Sequence, residues 1–502
     1  MKKFYITTPL YYVNDEPHIG HAYTTILADV IARIYKMQEY DVFFLTGTDE
    51  HGQKVQEAAS KKNVSPQNHV DEYVERFKGA WKNINIEYND FIRTTESRHT
   101  SKVKDILNYL YDKGEIYEDE YEGLYSVSEE RFITEKEYDE GTYREVKKLK
   151  EKNYFFKMSK YQDTLIKHIN DNPSFIKPES RKNEILSFLK NPLSDLCISR
   201  PKKRLSWGIE LPFDNNYVTY VWFDALLNYI SAIGWNEDET KFNKYWPADY
   251  HLMAKDILTT HCVYWPTMLL ACNIKLPKTV FAHGWWLMDN EKMSKSLGNV
   301  IKPLDLANKY GADALRYYLM RNMVLGQDAS FTIDSFIKRY ESDLANDYGN
   351  LVNRILILII KNFDSLIPTP GEYKEIDLEL IAKSKKIPNE IIANYTSLKI
   401  HNALELIMEL FRSLNKYLED KAPWKSIKID SSQKSDAATT LYIAADILKI
   451  GTALISPVIP KKSETVFSYL NVENLFDISF GKLKPGTKIN KPENLFPKID
   501  IN

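Results

Sequence analysis

The chain opens with an apolar run of strand length, Phe4 to Leu10, which soon gives way to Pro17-His18-Ile19-Gly20-His21 at the head of an amphipathic stretch reaching Tyr35. A strand feeding directly into a helix leaves two apolar faces to cover, and the compact solution is a layered α/β fold with a parallel sheet. Two histidines three residues apart share one face of the helix. Proline near a helix start is favoured because its missing N–H would have had no partner there. Gly20, between the histidines, has no side chain to block a flat base or ribose. A helix N-terminus built this way is suited to phosphate, and the chain has neither a Walker A sequence nor G-x-G-x-x-G.

A second signature, Lys292-Met293-Ser294-Lys295-Ser296, lies past the middle of the chain. Either signature alone reads as readily as a capped helix or a solvated turn; the two in one chain, in this order, point to ATP chemistry. The texture around them divides the chain. Residues 1–115 alternate strands and helices: Phe4 to Leu10, a helix to Tyr35, the strand Val42 to Thr46, then helices through Trp81 and from Arg98 to Lys113. Residues 116–216 turn charged and tyrosine-rich, in the manner of an insertion. The strand–helix texture returns over 217–300 with strands at Tyr217 to Phe223, Tyr250 to Met253 and Val280 to Ala282. From about Ser335 the periodic runs Leu351 to Phe363, Leu378 to Thr396, Asn402 to Leu418 and Ala437 to Leu454 predict a helical bundle. The expected division is thus 1–115 and 217–300 for the two halves of one sheet domain, 116–216 inserted, 301–350 linking, 351–470 helical and 471–502 a tail packing back.

At 502 residues, 43% hydrophobic and 27% charged, the chain can build full cores in about three domains. Its longest aliphatic run, Ile355 to Ile360, is far short of a bilayer span, and the acidic Asp15 and Glu16 interrupt the N-terminus before a secretory core could form. The expectation is a cytoplasmic protein with no membrane partner. Cys197, Cys262 and Cys272 form no C-x-x-C pair and read as buried small hydrophobes. A net charge of −2 neither favours nor excludes a nucleic-acid partner. Lys147-Lys148-Leu149-Lys150, Pro201-Lys202-Lys203-Arg204 and the tail from Lys482 are candidate phosphate contacts, although a solvated face is the simpler reading of each.

Thr48-Asp49-Glu50-His51-Gly52 follows the second strand, and residues just past the C-terminal ends of parallel strands line the ligand crevice. Asp49 there can hold an ammonium group by a charge-assisted hydrogen bond or simply cap a turn. Val221-Trp222-Phe223-Asp224-Ala225, with Tyr229 beyond it, offers an apolar pocket for a thioether or aliphatic group, against the plainer alternative of core packing. Lys255 and Asp256, ahead of His261, can position a ribose or pair at the surface.

The two signatures resemble the HIGH and KMSKS motifs of class I aminoacyl-tRNA synthetases. The intervening residues fall in the order and spacing of the methionine-specific branch over essentially the whole chain, with Thr8-Pro9-Leu10-Tyr11-Tyr12 similar to the opening of its short bacterial and organellar form. The resemblance implies a Rossmann-like catalytic domain split by an α+β connective insertion, followed by an all-α anticodon-binding bundle. It implies that Leu10 and Asp49 hold the methionine ammonium and that Tyr12, Trp222, Ala225, Leu226, Tyr229 and His261 shape the side-chain pocket. ATP falls to His18, Gly20, His21, Lys255, Asp256, Lys292, Ser294 and Lys295, of which His18, His21, Lys292 and Lys295 carry the catalysis. Arg200 matches a Ser-Arg segment near the active site. Asn350 and Arg354, which share a helix face, and Trp424, in Lys421-Ala422-Pro423-Trp424, match positions that read the CAU anticodon by stacking and edge contacts.

The sequence departs from the family at three places. Leu124-Tyr125-Ser126-Val127-Ser128-Glu129 has serines where zinc-bearing relatives begin a cysteine knuckle, and a hydroxyl cannot replace a thiolate ligand, so no zinc is expected. Ala254 stands in place of a glycine and Leu226 in place of a proline. The implied reactants are ATP with Mg2+, L-methionine and initiator and elongator tRNA(Met), and the absence of a dimerising C-terminal OB-fold before Asn502 leads to the expectation of a monomer. Two other readings compete. A different adenylate-forming enzyme with an H-x-G-H helix leaves the helical third without a task, and a noncatalytic tRNA-binding paralogue would be expected to lose the histidines, lysines and Asp49 that this chain keeps.

Overall fold

The structure, a computed structural model, describes residues 1–126, 131–133, 138–139, 146–288, 291–292, 301–426 and 431–499. The chain begins β1 (Lys3–Thr7), β2 (Tyr11–Tyr12), α1 (Ile19–Met37), β3 (Asp41–Asp49), α2 (Gln53–Lys61), α3 (Pro66–Asn83), β4 (Asp90–Arg93) and α4 (Ser97–Asp112). It separates into two compact bodies. One comprises 1–17, 40–80 and 87–283; the other comprises 18–39, 81–86 and 284–502.

The first body is built on a parallel sheet. β3 pairs with β1 from Lys3↔Asp41 to Thr7↔Leu45, with β2 at Tyr12↔Asp49 and with β4 on its other edge. β1 continues to the strand Tyr250–Ala254, which pairs with Val280–His283. Tyr5, Ile6, Phe44, Leu45, Leu252, Met253, Val280 and Ala282 are all buried, as expected of strands covered on both faces, which read as continuous apolar runs rather than alternating ones. Gly47 sits where a Cβ would lie 2.0 Å from the carbonyl oxygen of Ile92 on β4, so only glycine fits there.

Two expectations need correction here. The strand expected over Tyr217 to Phe223 is instead Asp214–Thr219, in a small antiparallel sheet, and Val221–Ala225 is a short helix. β-branched and aromatic residues run through both segments, so propensity could not place the break. The stretch 116–216 is also not wholly separate. Ile116–Ser126, Arg131–Ile133, Val146–Phe156 and Leu196–Cys197 form an antiparallel sheet of their own, but Ile176–Lys177 joins the main sheet beside Val280. A two-residue strand is too short to show a period. Lys148 and Lys150 on the inserted sheet face Glu122 and Glu120 at 3.1 and 3.8 Å, and Lys202 pairs with Glu210, the solvated-face arrangement.

The second body contains α1 and the helical bundle. The helices Asn350–Asn362, Glu375–Thr396, Ile400–Lys421 and Ser431–Ile455 coincide with the four predicted runs, the first shifted by one residue and the others longer by a few. Gly451 brings two of them together, since a Cβ there would lie 2.3 Å from the Phe411 ring. Lys434–Ile455 is long and apolar enough to cross a membrane, yet the whole of its most apolar window is buried in the protein, which makes it the core helix of the bundle. The tail returns over this body: Ile367 N–H donates to the Thr487 carbonyl at 2.9 Å, and Leu495 and Phe496 are buried.

One buried ion pair ties α1 into this body. Asp29 and Arg316 are both fully buried, 2.6 Å apart. The rest of the Arg316 fork donates to the carbonyls of Ile84, Asn85, Pro457 and Val458, at 2.8 to 3.2 Å, and Arg33 donates to the same Asp29 carboxylate. Removing one member of such a pair strands the other charge in the interior. Asp29→Ala should therefore cost about 3–5 kcal/mol of stability, read from a urea melt followed by tryptophan fluorescence; a midpoint equal to wild type would show that the pair contributes nothing.

Candidate active site

α1 starts with a cap made by its own histidines. His18 is the N-cap; its Nδ1 accepts from Gly20 N–H at 3.1 Å, while His18 N–H donates to His21 Nδ1 at 3.3 Å. Two orphan donors of the first turn are satisfied reciprocally, as in a capping box. Since both Nδ1 atoms accept, each neutral ring carries its proton on Nε2. The rings stack 3.8 Å apart, and burial together with the neighbouring His18 holds His21 well below the ordinary imidazole pKa. The cap thus leaves each ring with Nε2–H as its donor, and burial keeps His21 neutral near neutral pH. Gly20 has a specific reason to be glycine: a Cβ there would lie 2.9 Å from the His18 ring, so the space is used first by the motif's own histidine.

In the same body, Tyr23 on α1 meets Trp286 edge-on at 6.0 Å. Trp286–Met288 pairs antiparallel with Glu291–Lys292 and parallel with Ala329–Phe331. Lys292 thus lies on a hairpin; Ser294 and Lys295 lie outside the described residues.

The sequence-predicted amino-acid ligands all fall in the first body. Tyr12 and Asp49 are directly opposite in the parallel register, and Leu10, after β1, reaches over Gly47. This group sits at the C-terminal ends of β1 and β3, where α/β sheets bind ligands. Asp49 is 2% exposed. A second group gathers on and beyond the short helix Val221–Ala225. The Tyr229 hydroxyl donates to His261 Nε2 at 2.8 Å, because His261 Nδ1–H is committed to the Ile257 carbonyl at 3.0 Å. Trp222 meets His261 edge-on at 6.3 Å, and Ala225 and Leu226 are buried. Lys255 and Asp256 form a 3-10 turn at the end of the strand Tyr250–Ala254, also at a C-terminal strand edge.

Several buried polar residues were given no role by sequence reasoning. His251 lies 4.2 Å under the Tyr229 ring; it accepts from Trp265 Nε1–H and so donates Nδ1–H to Thr7. Glu50 takes a bidentate contact from Arg93 and hydroxyl donors from Thr48 and Thr95. Asp224 binds His51 through one oxygen and His99 through the other, at 2.7 and 2.8 Å. The contacts that define these groups reach as far as 244 positions along the chain, from Thr7 to His251, and no spacing rule reaches that far. Arg200 is 3% exposed, stacked over Tyr220 and donating to the Ser199 carbonyl. With Arg204, Gly52, Gln53, Tyr125 and Leu205 it lines a shallow cleft.

On the helical body, the Arg354 guanidinium lies 4.5 Å over the Trp424 ring and pairs with Glu419 at 3.7 Å, while Asn350 is exposed on the same helix face. The structure therefore brings Arg354 and Trp424 into direct contact.

Burial pushes His261 down to about 4. The ring should stay neutral through pH 5, visible as a flat imidazole carbon shift in an NMR titration. Because the unfolded ring would take up a proton below about 6.5, the His261 contribution is intact above that pH and is lost as pH falls toward 4. A titration midpoint near 6.5 would contradict the buried, tautomer-fixed arrangement.

Comparison with known proteins matches this geometry to one family. The model of class I tRNA synthetases (M) covers residues 4–143 and 140–356, and that of the anticodon-binding domain of methionyl tRNA ligase covers 367–502. Curated methionine–tRNA ligases of Clostridium acetobutylicum and Clostridium tetani are 46% and 47% identical to this chain over its full length, which spans 79% of theirs. The Mycobacterium tuberculosis methionyl-tRNA synthetase in complex with methionyl-adenylate superposes with a TM-score of 0.95 at 39% identity, over 99% of this chain and all of that one. The chain belongs to the methionine-specific family of class I aminoacyl-tRNA synthetases.

Proposed function

We propose that the residues gathered above perform methionine activation and tRNA charging as follows. The protein is a methionine–tRNA ligase: it uses ATP to form methionyl-adenylate and pyrophosphate, then charges tRNA(Met) for protein synthesis. The observation that carries the residue assignment is the pairing of Tyr12 with Asp49 at the strand ends, in the same body as the Trp222–His261–Tyr229 cluster. An anionic carboxylate beside apolar and aromatic walls suits an α-ammonium attached to a thioether.

In the first step a methionine carboxylate oxygen attacks the α-phosphorus of ATP, supplied as its magnesium complex, and the bond to the β-phosphate oxygen breaks. Such transfers are catalysed chiefly by positioning and by stabilising charge. Leu10 and Asp49 hold the ammonium; Tyr12, Trp222, Ala225, Leu226, Tyr229 and His261 surround the side chain. His18 and His21 donate Nε2–H to phosphate oxygens, Gly20 keeps the approach open, and Lys255 and Asp256 hold the ribose. Lys292 and Lys295, with Ser294 shaping their loop, neutralise the departing pyrophosphate. In the second step a ribose hydroxyl of the terminal tRNA adenosine attacks the methionyl carbonyl and AMP leaves. Asn350, Arg354 and Trp424 read the anticodon of initiator and elongator tRNA, consistent with an Arg–Trp stack that can accept a base. A monomeric, cytoplasmic enzyme completes the proposal.

Selectivity follows from the fixed His261 tautomer. Its two nitrogens are committed to Tyr229 and Ile257, so the pocket wall presents carbon surface and rejects polar side chains better than it rejects a shortened one, for which a missing methylene is worth only about 1–3 kcal/mol.

Amino-acid-dependent exchange of labelled pyrophosphate into ATP tests the activation step without tRNA. Exchange is expected with methionine and not with leucine, isoleucine or valine; exchange driven by one of those would overturn the pocket assignment. In the same assay His21→Ala and Lys295→Ala should each lower the rate by about two orders of magnitude or more, and wild-type rates would remove their roles. Trp424→Ala should weaken tRNA charging while sparing exchange; equal loss of both would rule out an anticodon role.

A further inference from the structure

We infer that Asp224 is a positioning residue for the amino-acid pocket, acting through His51 and His99 to set the separation between the Asp49 carboxylate and the aromatic wall. The inference rests on the methionine site proposed above and adds residues to it that touch no substrate.

Asp224 is fully buried and belongs to the short helix Val221–Ala225, one residue from Ala225 and two from Trp222. A helix of this length has almost no stability of its own, so its place must be fixed from outside. Both carboxylate oxygens are used for that. Oδ2 accepts from His51 Nδ1–H at 2.7 Å and Oδ1 accepts from His99 Nε2–H at 2.8 Å. Burial pushes the Asp224 carboxyl up, but the two imidazoles outweigh it and the net shift is downward, so the group remains a carboxylate.

The partners stand on the other segments that carry the pocket. His51 lies two residues beyond Asp49, on the turn after β3, where it packs against Trp207 at 5.4 Å; Trp207 Nε1–H in turn donates to the Glu50 carbonyl at 2.6 Å. His99 belongs to α4, and its Nδ1 meets Ser231 Oγ at 2.9 Å, on the short helix Asn228–Ser231 that carries Tyr229. The Asn228 side chain donates to the Ala225 carbonyl, joining the two short helices. The ammonium side, Asp49, and the side-chain wall, Trp222, Ala225 and Tyr229, therefore converge on one carboxylate through two imidazoles. A binding constellation loses affinity when its groups shift by as little as an ångström, and this network is what fixes that distance across three chain segments.

The test is steady-state pyrophosphate exchange with Asp224→Asn, a change that keeps the volume but turns an NH2 toward an imidazole N–H. The methionine KM should rise at least about tenfold while the ATP KM stays within about twofold and the melting temperature holds. A methionine KM within twofold of wild type, or methionine and ATP KM rising together with a collapsed melting temperature, would overturn the inference. If Asp224→Asn does not fold, His51→Gln supplies the readout, since it leaves the His99 contact in place; it should raise the methionine KM selectively, and an unchanged KM would count against the inference in the same way. Asp49→Asn and Trp222→Ala, run alongside, separate the two levels. If they leave the methionine KM unchanged, the site itself is misassigned; if they raise it and the Asp224 and His51 variants do not, only the positioning role falls.

Discussion

The in-register parallel pairing of β1 with β3 and with Tyr250–Ala254 is the constraint on which the first body depends. Parallel strands end at the same side of a sheet, so the segments leaving them are delivered together without any further device. Leu10, Tyr12, Asp49, Lys255 and Asp256 are collected at one edge this way. The proposed chemistry is then a matter of which side chains the strand ends and the segments leaving them carry: Tyr12 and Asp49 are the last residues of β2 and β3, while Leu10, Lys255 and Asp256 lie beyond strands.

Buried carboxylates organise the rest. Asp29, Glu50 and Asp224 are each essentially inaccessible, and each is held by a different set of donors: two arginines, an arginine with two hydroxyls, and two imidazoles. An unpaired charge in these positions would cost several kcal/mol, so each carboxylate specifies its partners closely. Through Arg316, Asp29 fastens α1 to the loop segments at Ile84–Asn85 and Pro457–Val458, while Asp224 bonds to two histidines that link it to short helices. The same physical rule anchors a long helix in one body and holds two short ones in the other.

Much of this was legible in the sequence, and the reasons differ from place to place. The bundle helices were visible because apolar residues recur at helical spacing over more than a dozen positions, and β1 and β3 because a doubly covered strand is a plain apolar run. His18, His21, Asp49, Trp222 and Tyr229 could be singled out as candidates because local motifs and family resemblance both mark them. The helix Val221–Ala225 was misread as the end of a strand, since five residues rich in aromatic and β-branched types carry no helical period. His99, His251, Arg316 and the link from His51 to Asp224 were beyond reach for another reason: their roles exist only in contacts between residues distant along the chain. The reciprocal cap of His18 and His21 was half visible, as a capped helix start, but the use of both Nδ1 atoms in the cap is a matter of geometry.

The core helix Lys434–Ile455 has a consequence for how the protein is made. A stretch that apolar, emerging bare from a ribosome, is a substrate for aggregation or for mistaken delivery to a membrane. Three of its packing partners, Asn350–Asn362, Glu375–Thr396 and Ile400–Lys421, precede it in the chain and are already synthesised when it appears, while Pro460–Leu470 follows it. The order of the helices thus shortens the time during which the greasiest segment has nothing to bind. A circular permutation that placed it first would keep every native contact and expose the nascent chain to that hazard for most of its synthesis.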